Sequence, residues 1–69
     1  MNKYIIILND IQQVNIQADG ESHDETSVVF YNYKNLGTDA YGIINMQQDV
    51  IAQFAITNII GWFKAEENE

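Results

Sequence analysis

A chain of 69 residues with ten carboxylates, three lysines and no arginine has a formal net charge of −7 and little with which to neutralise a phosphate backbone. Direct binding to nucleic acid or to an anionic membrane is therefore disfavoured, and the absence of cysteine excludes disulfides and thiolate zinc sites. The length allows one small domain over residues 1–69, with no deep cleft and a core small enough that a partner subunit is the expected staple.

The first segment, "MNKYIIILND", follows Lys3 with the five apolar residues Tyr4 to Leu8. That run is too short for a signal-peptide core or a bilayer span, and reads as a strand near 3–8 in a mature cytoplasmic protein. In "QVNIQA", Val14, Ile16 and Ala18 alternate with Asn15 and Gln17, the period of a strand with one face buried, within a strand expected near 13–22. "YIIIL" and "VVFYNY" carry apolar or aromatic side chains on both faces, as a central strand or one beneath an interface would, and are the candidate core strands, the second within a strand expected near 27–34. Turn chemistry marks "NDIQ", "HDET", "NLGTD" and "QQD". Further strands are expected near 40–46, 49–56 and 59–64.

The final third, "DVIAQFAITNIIGWFKAEE", admits a helix over 49–64 as the alternative, with Asp49 as its N-cap. Against it, six of the fourteen residues from Val50 to Phe63 are β-branched, Gly61 interrupts the interior, and Val50, Ala52, Phe54 and Ile56 alternate. The predicted fold is mainly β, a small antiparallel meander or partly open barrel of five to six strands. Residues 65–69 read as a frayed acidic tail.

Chemistry concentrates in "ADGESHDE", where four carboxylates and the single histidine fall within eight positions. In an extended segment Asp19, Glu21, His23 and Glu25 share a face, but the spacing matches no calcium loop and His23 has no second histidine at ligand spacing, so no metal and no cofactor is expected. Ser22 and His23 point to opposite faces of a strand and cannot activate one another, and no apolar residue between Ala18 and Val28 would raise a carboxyl pKa. A non-enzyme is expected. Asp19, Glu21, Asp24 and Glu25 are candidate partner-binding residues or a charged hairpin edge that resists unwanted strand pairing. Tyr31, Tyr33 and Trp62 are the aromatic candidates for a protein interface, and belong to the core otherwise.

The order of an acidic "AD.E..DE" stretch, "VVFYN", a turn and "VIAQFAITNIIGWFK" resembles the small acidic strand-rich proteins encoded by bacteriophages and mobile elements, over residues 14–64. The resemblance carries no functional residue over. It implies a stoichiometric inhibitor of a host nucleic-acid enzyme, of the anti-CRISPR, nuclease or repair-inhibitor kind, in which Asp19, Glu21, Asp24 and Glu25 stand in for phosphates in a basic groove. The expected partner is accordingly a protein with a basic surface or the chain itself, as a homo-oligomer. The rival expectation is a self-assembling structural or accessory phage protein with no enzyme target.

Overall fold

The computed structural model describes residues 1–65 and is mainly β, with six strands in two antiparallel sheets. The strands are β1 (Asn2–Leu8), β2 (Gln13–Ala18), β3 (Gly20–His23), β4 (Ser27–Thr38), β5 (Ile44–Ala55) and β6 (Ile59–Ala65). Sheet order is β2–β1–β6 in one sheet and β3–β4–β5 in the other, an arrangement that fits a meander or a partly open barrel. The chain passes between sheets at Asp19 and again through a short 3-10 turn, Ile56–Asn58. No helix among the described residues is long and apolar enough to cross a membrane.

Alternation builds the core. Tyr4 and Ile6 of β1, Ala18 of β2, Val28 and Phe30 of β4 and Ile59 of β6 are buried, with Val14, Ile16, Ala52, Phe54, Ile56 and Trp62 packed around them. Phe30 is fully buried and meets Tyr4 at 5.1 Å and Phe54 at 6.1 Å between ring centroids, the tilted contacts that aromatic quadrupoles prefer. β1 is the central strand of its sheet, which is why "YIIIL" needs apolar side chains on both faces.

Several expectations are corrected. The strand expected near 13–22 is two strands, β2 and β3, which belong to different sheets because the chain crosses over at Asp19. Residues 47–49, read as a turn, lie inside β5, where Gln47, Gln48 and Asp49 pair with Lys34, Tyr33 and Asn32. "NLGTD" is likewise mostly strand: β4 runs to Thr38, and the chain reverses over 39–43. There Asp39 Oδ1 accepts the N–H groups of Tyr41 and Ile43, at 2.8 and 3.1 Å, and Gly42 takes a positive φ of 79°. What reads as two strands near 40–46 and 49–56 is therefore one strand of 12 residues, and no helix forms over 49–64. Ala65, assigned to the tail, pairs with Lys3 in β6; the rest of that tail lies outside the described residues.

A last correction concerns which face Val50 occupies. Ala52, Phe54 and Ile56 reach the core as their alternation predicts, but the ladder steps from the Phe30 and Ala52 pair directly to Tyr31 and Val50, leaving Ile51 as a bulge. One inserted residue flips everything beyond it, so Val50 faces outward and is exposed.

The β1–β2 turn carries backbone strain. Ile11 adopts φ 68°, a left-handed conformation that costs a β-branched residue about 1–2 kcal/mol, and its side chain is 77% exposed, so packing returns little. Ile11→Asn should raise stability by about 1 kcal/mol, seen as a thermal midpoint higher by roughly 4–8 °C in circular dichroism. An unchanged midpoint would mean that the turn is not strained.

Candidate protein-interaction surface

β4 and β5 are each 12 residues long, about 40 Å at strand rise, yet only their base lies over the core. From Tyr33 to Ile51 every residue is exposed, so the two strands leave the body as a two-stranded arm. The radius of gyration is 14.7 Å, against about 11 Å for a compact chain of this length, and the longest axis is 50 Å. A second bulge at Leu36, between the Asn35–Met46 and Gly37–Asn45 pairs, bends the arm where Gly37 takes φ 104°.

The arm is apolar for a solvent-exposed element. Leu36, Tyr41, Ile43, Ile44, Met46 and Val50 are all more than half exposed, and Tyr41 at the tip is 90% exposed. Register and alternation place Tyr31 and Tyr33 on the face away from the core, opposite Val50 and Gln48, with Met46 and Ile44 continuing that face toward the tip. Residues 33–51 carry only Lys34, Asp39 and Asp49, a net charge of −1, while the other described residues carry Asp10, Asp19, Glu21, Asp24 and Glu25 against Lys3 and Lys64, a net charge of −3. Apolar arm and acidic body are thus separated along the molecule.

The acidic stretch is dispersed by the fold into three local roles. Asp19 braces the root of the arm: its N–H donates to Tyr31 O and to Asn32 Oδ1, both at 3.0 Å, and its Oδ2 accepts the Tyr33 N–H at 2.8 Å. Across β3, Gly20 pairs with Tyr31, whose ring lies over it so closely that a Cβ there would meet the phenol oxygen at 2.6 Å. Tyr31 stacks edge-on to Tyr33 at 5.3 Å, and hydrogen bonding with Tyr33, then lost hydration, raises its phenol above the ordinary tyrosine range.

Glu21 and His23 lie on the opposite side of β3 from Gly20, toward the core. His23 Nδ1 is 2.7 Å from Glu21 Oε1, and its ring meets the edge of Trp62 at 5.2 Å. Trp62 is half-buried against the core, so these three residues meet where β3 approaches β6, away from the tyrosine pair. Among the described residues no three His, Cys, Asp or Glu side chains converge as a metal site would require.

Asp24 shapes the β3–β4 turn. Its Oδ1 accepts from the Thr26 N–H at 2.7 Å, the Thr26 hydroxyl at 2.8 Å and the Ser27 N–H at 2.9 Å, while Glu25 stands exposed beside it. The backbone donors of Thr26 and Ser27, followed by the Thr26 hydroxyl, lower the Asp24 pKa below 3.8. A depressed carboxyl pKa gives stability that is present above the unfolded value and lost as pH falls through the folded one. Asp24→Ala should therefore melt lower than the native chain at neutral pH, and the gap should close below pH 3.8. A gap independent of pH would deny the charge any part in the turn.

Asp19, Tyr31 and Tyr33 thus come together at the arm root, Glu21 and Trp62 meet on the body, and Asp24 and Glu25 occupy a turn. Sequence reasoning missed the arm itself. Its one visible signal was the sparse charge of the 19 residues from Tyr33 to Ile51, since both bulges are invisible in an apolar pattern. No protein-family model matches the chain, and neither a curated protein nor a solved structure is similar to it.

Proposed function

We propose that this protein is a non-enzymatic protein-binding module that grips its partner with the β4–β5 arm and steers it with the acidic body. The observation that carries this reading is the run of 19 exposed residues, 33–51, presenting apolar and aromatic side chains on both strands of a hairpin. Exposed apolar area of that extent marks an interaction site on a protein, and tyrosine is among the residues that dominate such contacts. The partner chemistry follows from the charge: an apolar groove rimmed by lysine or arginine.

An inhibitor of a nucleic-acid enzyme is the form of this reading that the charge distribution favours, since such enzymes carry basic grooves. Glu25 and the free edges of Glu21 and Asp24 would be the steering groups there. Asp19, exposed at the arm root, is engaged with the Tyr33 N–H and serves the partner indirectly.

Affinity capture from a bacterial lysate, with the native chain beside a Tyr33→Ser, Ile44→Ser, Met46→Ser variant, tests the proposal. Proteins held by the native chain and lost by the variant are expected, with recovery falling as salt rises. Identical recovery by the two chains would reject the arm as the binding surface.

A further inference from the structure

We propose that a second copy of this chain pairs with the outer edge of β5, so that two arms form one four-stranded antiparallel sheet in the order β4, β5, β5, β4 across the two protomers. The inference rests on the arm being a contact surface and names what covers its edge. Among the described residues nothing pairs with the outer edge of β5 over its 12 residues, from Ile44 to Ala55. Proteins usually protect such an edge with charges, proline or a covering element; here the strand holds one charged residue, Asp49, and no proline. The outer edge of β4 is occupied by β3 as far as Tyr31, and the Tyr33 N–H by Asp19, which leaves β5 as the free template at the arm root.

Stability argues the same way. A lone two-stranded ribbon is marginal in water, and beyond Tyr33 and Ile51 this arm has no core beneath it. Two arms joined along β5 make four strands and satisfy the open backbone groups of both edges. Antiparallel pairing of one edge with itself is self-complementary under a two-fold axis, so it closes at two subunits.

Side chains and charge are compatible with this occupant. Ile44, Met46 and Val50 lie on β5 itself, more than half exposed, where pairing along that edge sets them beside side chains of the second β5. Each arm carries a net charge of only −1, and antiparallel pairing sends the two acidic bodies to opposite ends of the joint sheet. Their residual repulsion should be screened by salt, so dimerisation strengthens as salt is added.

Sedimentation of the native chain across the micromolar range is expected to give a species of twice 7.9 kDa. An Ile44→Lys, Met46→Lys variant should sediment as a monomer while Trp62 fluorescence reports an intact body. Hydrogen exchange should show amides of 44–50 gaining protection with concentration while those of 34–38 do not. A native monomer throughout that range, a variant that still dimerises, or protection on β4 alone would overturn the proposal. A native monomer that nonetheless captures proteins through its arm would defeat this inference and leave the functional reading standing. A dimer whose arm variants capture the same proteins as the native chain would do the reverse.

Discussion

Phe30→Ala is expected to leave the protein largely unfolded at room temperature. Phe30 is fully buried, sits in β4 between Glu21 of β3 and Ala52 of β5, and touches Tyr4 from the facing sheet, so its ring joins the two layers. Truncating a buried phenylalanine costs about 3–5 kcal/mol, from lost transfer energy and the cavity left behind. A core of this size supplies no more than about 3–5 kcal/mol in total, so the substitution removes about as much as there is. Urea titration followed by the fluorescence of Trp62, the chain's single tryptophan, measures this directly. Phe30→Leu retains most of the volume and should unfold cooperatively at a lower midpoint. A Phe30→Ala midpoint close to the native one would show that the two sheets are held by something other than this contact.

Replacing Tyr33 and Met46 by serine is expected to weaken partner binding by at least about 30-fold, the equivalent of one 2 kcal/mol hot spot, with little change in thermal midpoint. Both residues lie beyond the core and both are about half exposed, so the folded body does not depend on them. Glu25→Gln should change affinity by only a few-fold at moderate salt, because a rim charge acts chiefly on association rate and on salt dependence. Titration calorimetry against a captured partner, at low and high salt, separates the two effects. If Glu25→Gln costs more than the arm substitutions, the electrostatic surface is the grip and the arm is secondary. Salt also distinguishes the two associations proposed for the arm: it should weaken binding to a basic partner and strengthen the pairing of two acidic copies.

Much of the fold was legible because strands on one small core must alternate. "QVNIQA" placed Val14, Ile16 and Ala18 on the buried face, and "YIIIL" and "VVFYNY" were identifiable as core strands from apolar side chains on both faces. Residues 49–64 form no α-helix for a related reason, since β-branched side chains favour an extended backbone. Turn chemistry was less dependable. The residues of "NLGTD" and "QQD" that resemble turns are accommodated within long strands, because a ribbon with both faces in water tolerates Asn, Gln and Gly.

The candidate residues divide along the same line. Composition alone determined that the chain is acidic, lacks arginine and cysteine, and concentrates strand-forming residues; these properties are sums over residues and need no coordinates. Tertiary structure decided that Asp19 holds Tyr33, that Glu21 and His23 turn toward Trp62, and that Asp24 closes a turn, each a pairing between groups whose partner depends on register. It also decided that residues 33–51 leave the core. That outcome rests on two bulges, at Ile51 and Leu36, and a bulge depends on how one strand is matched to its neighbour, a relation between segments that no local pattern in either one contains.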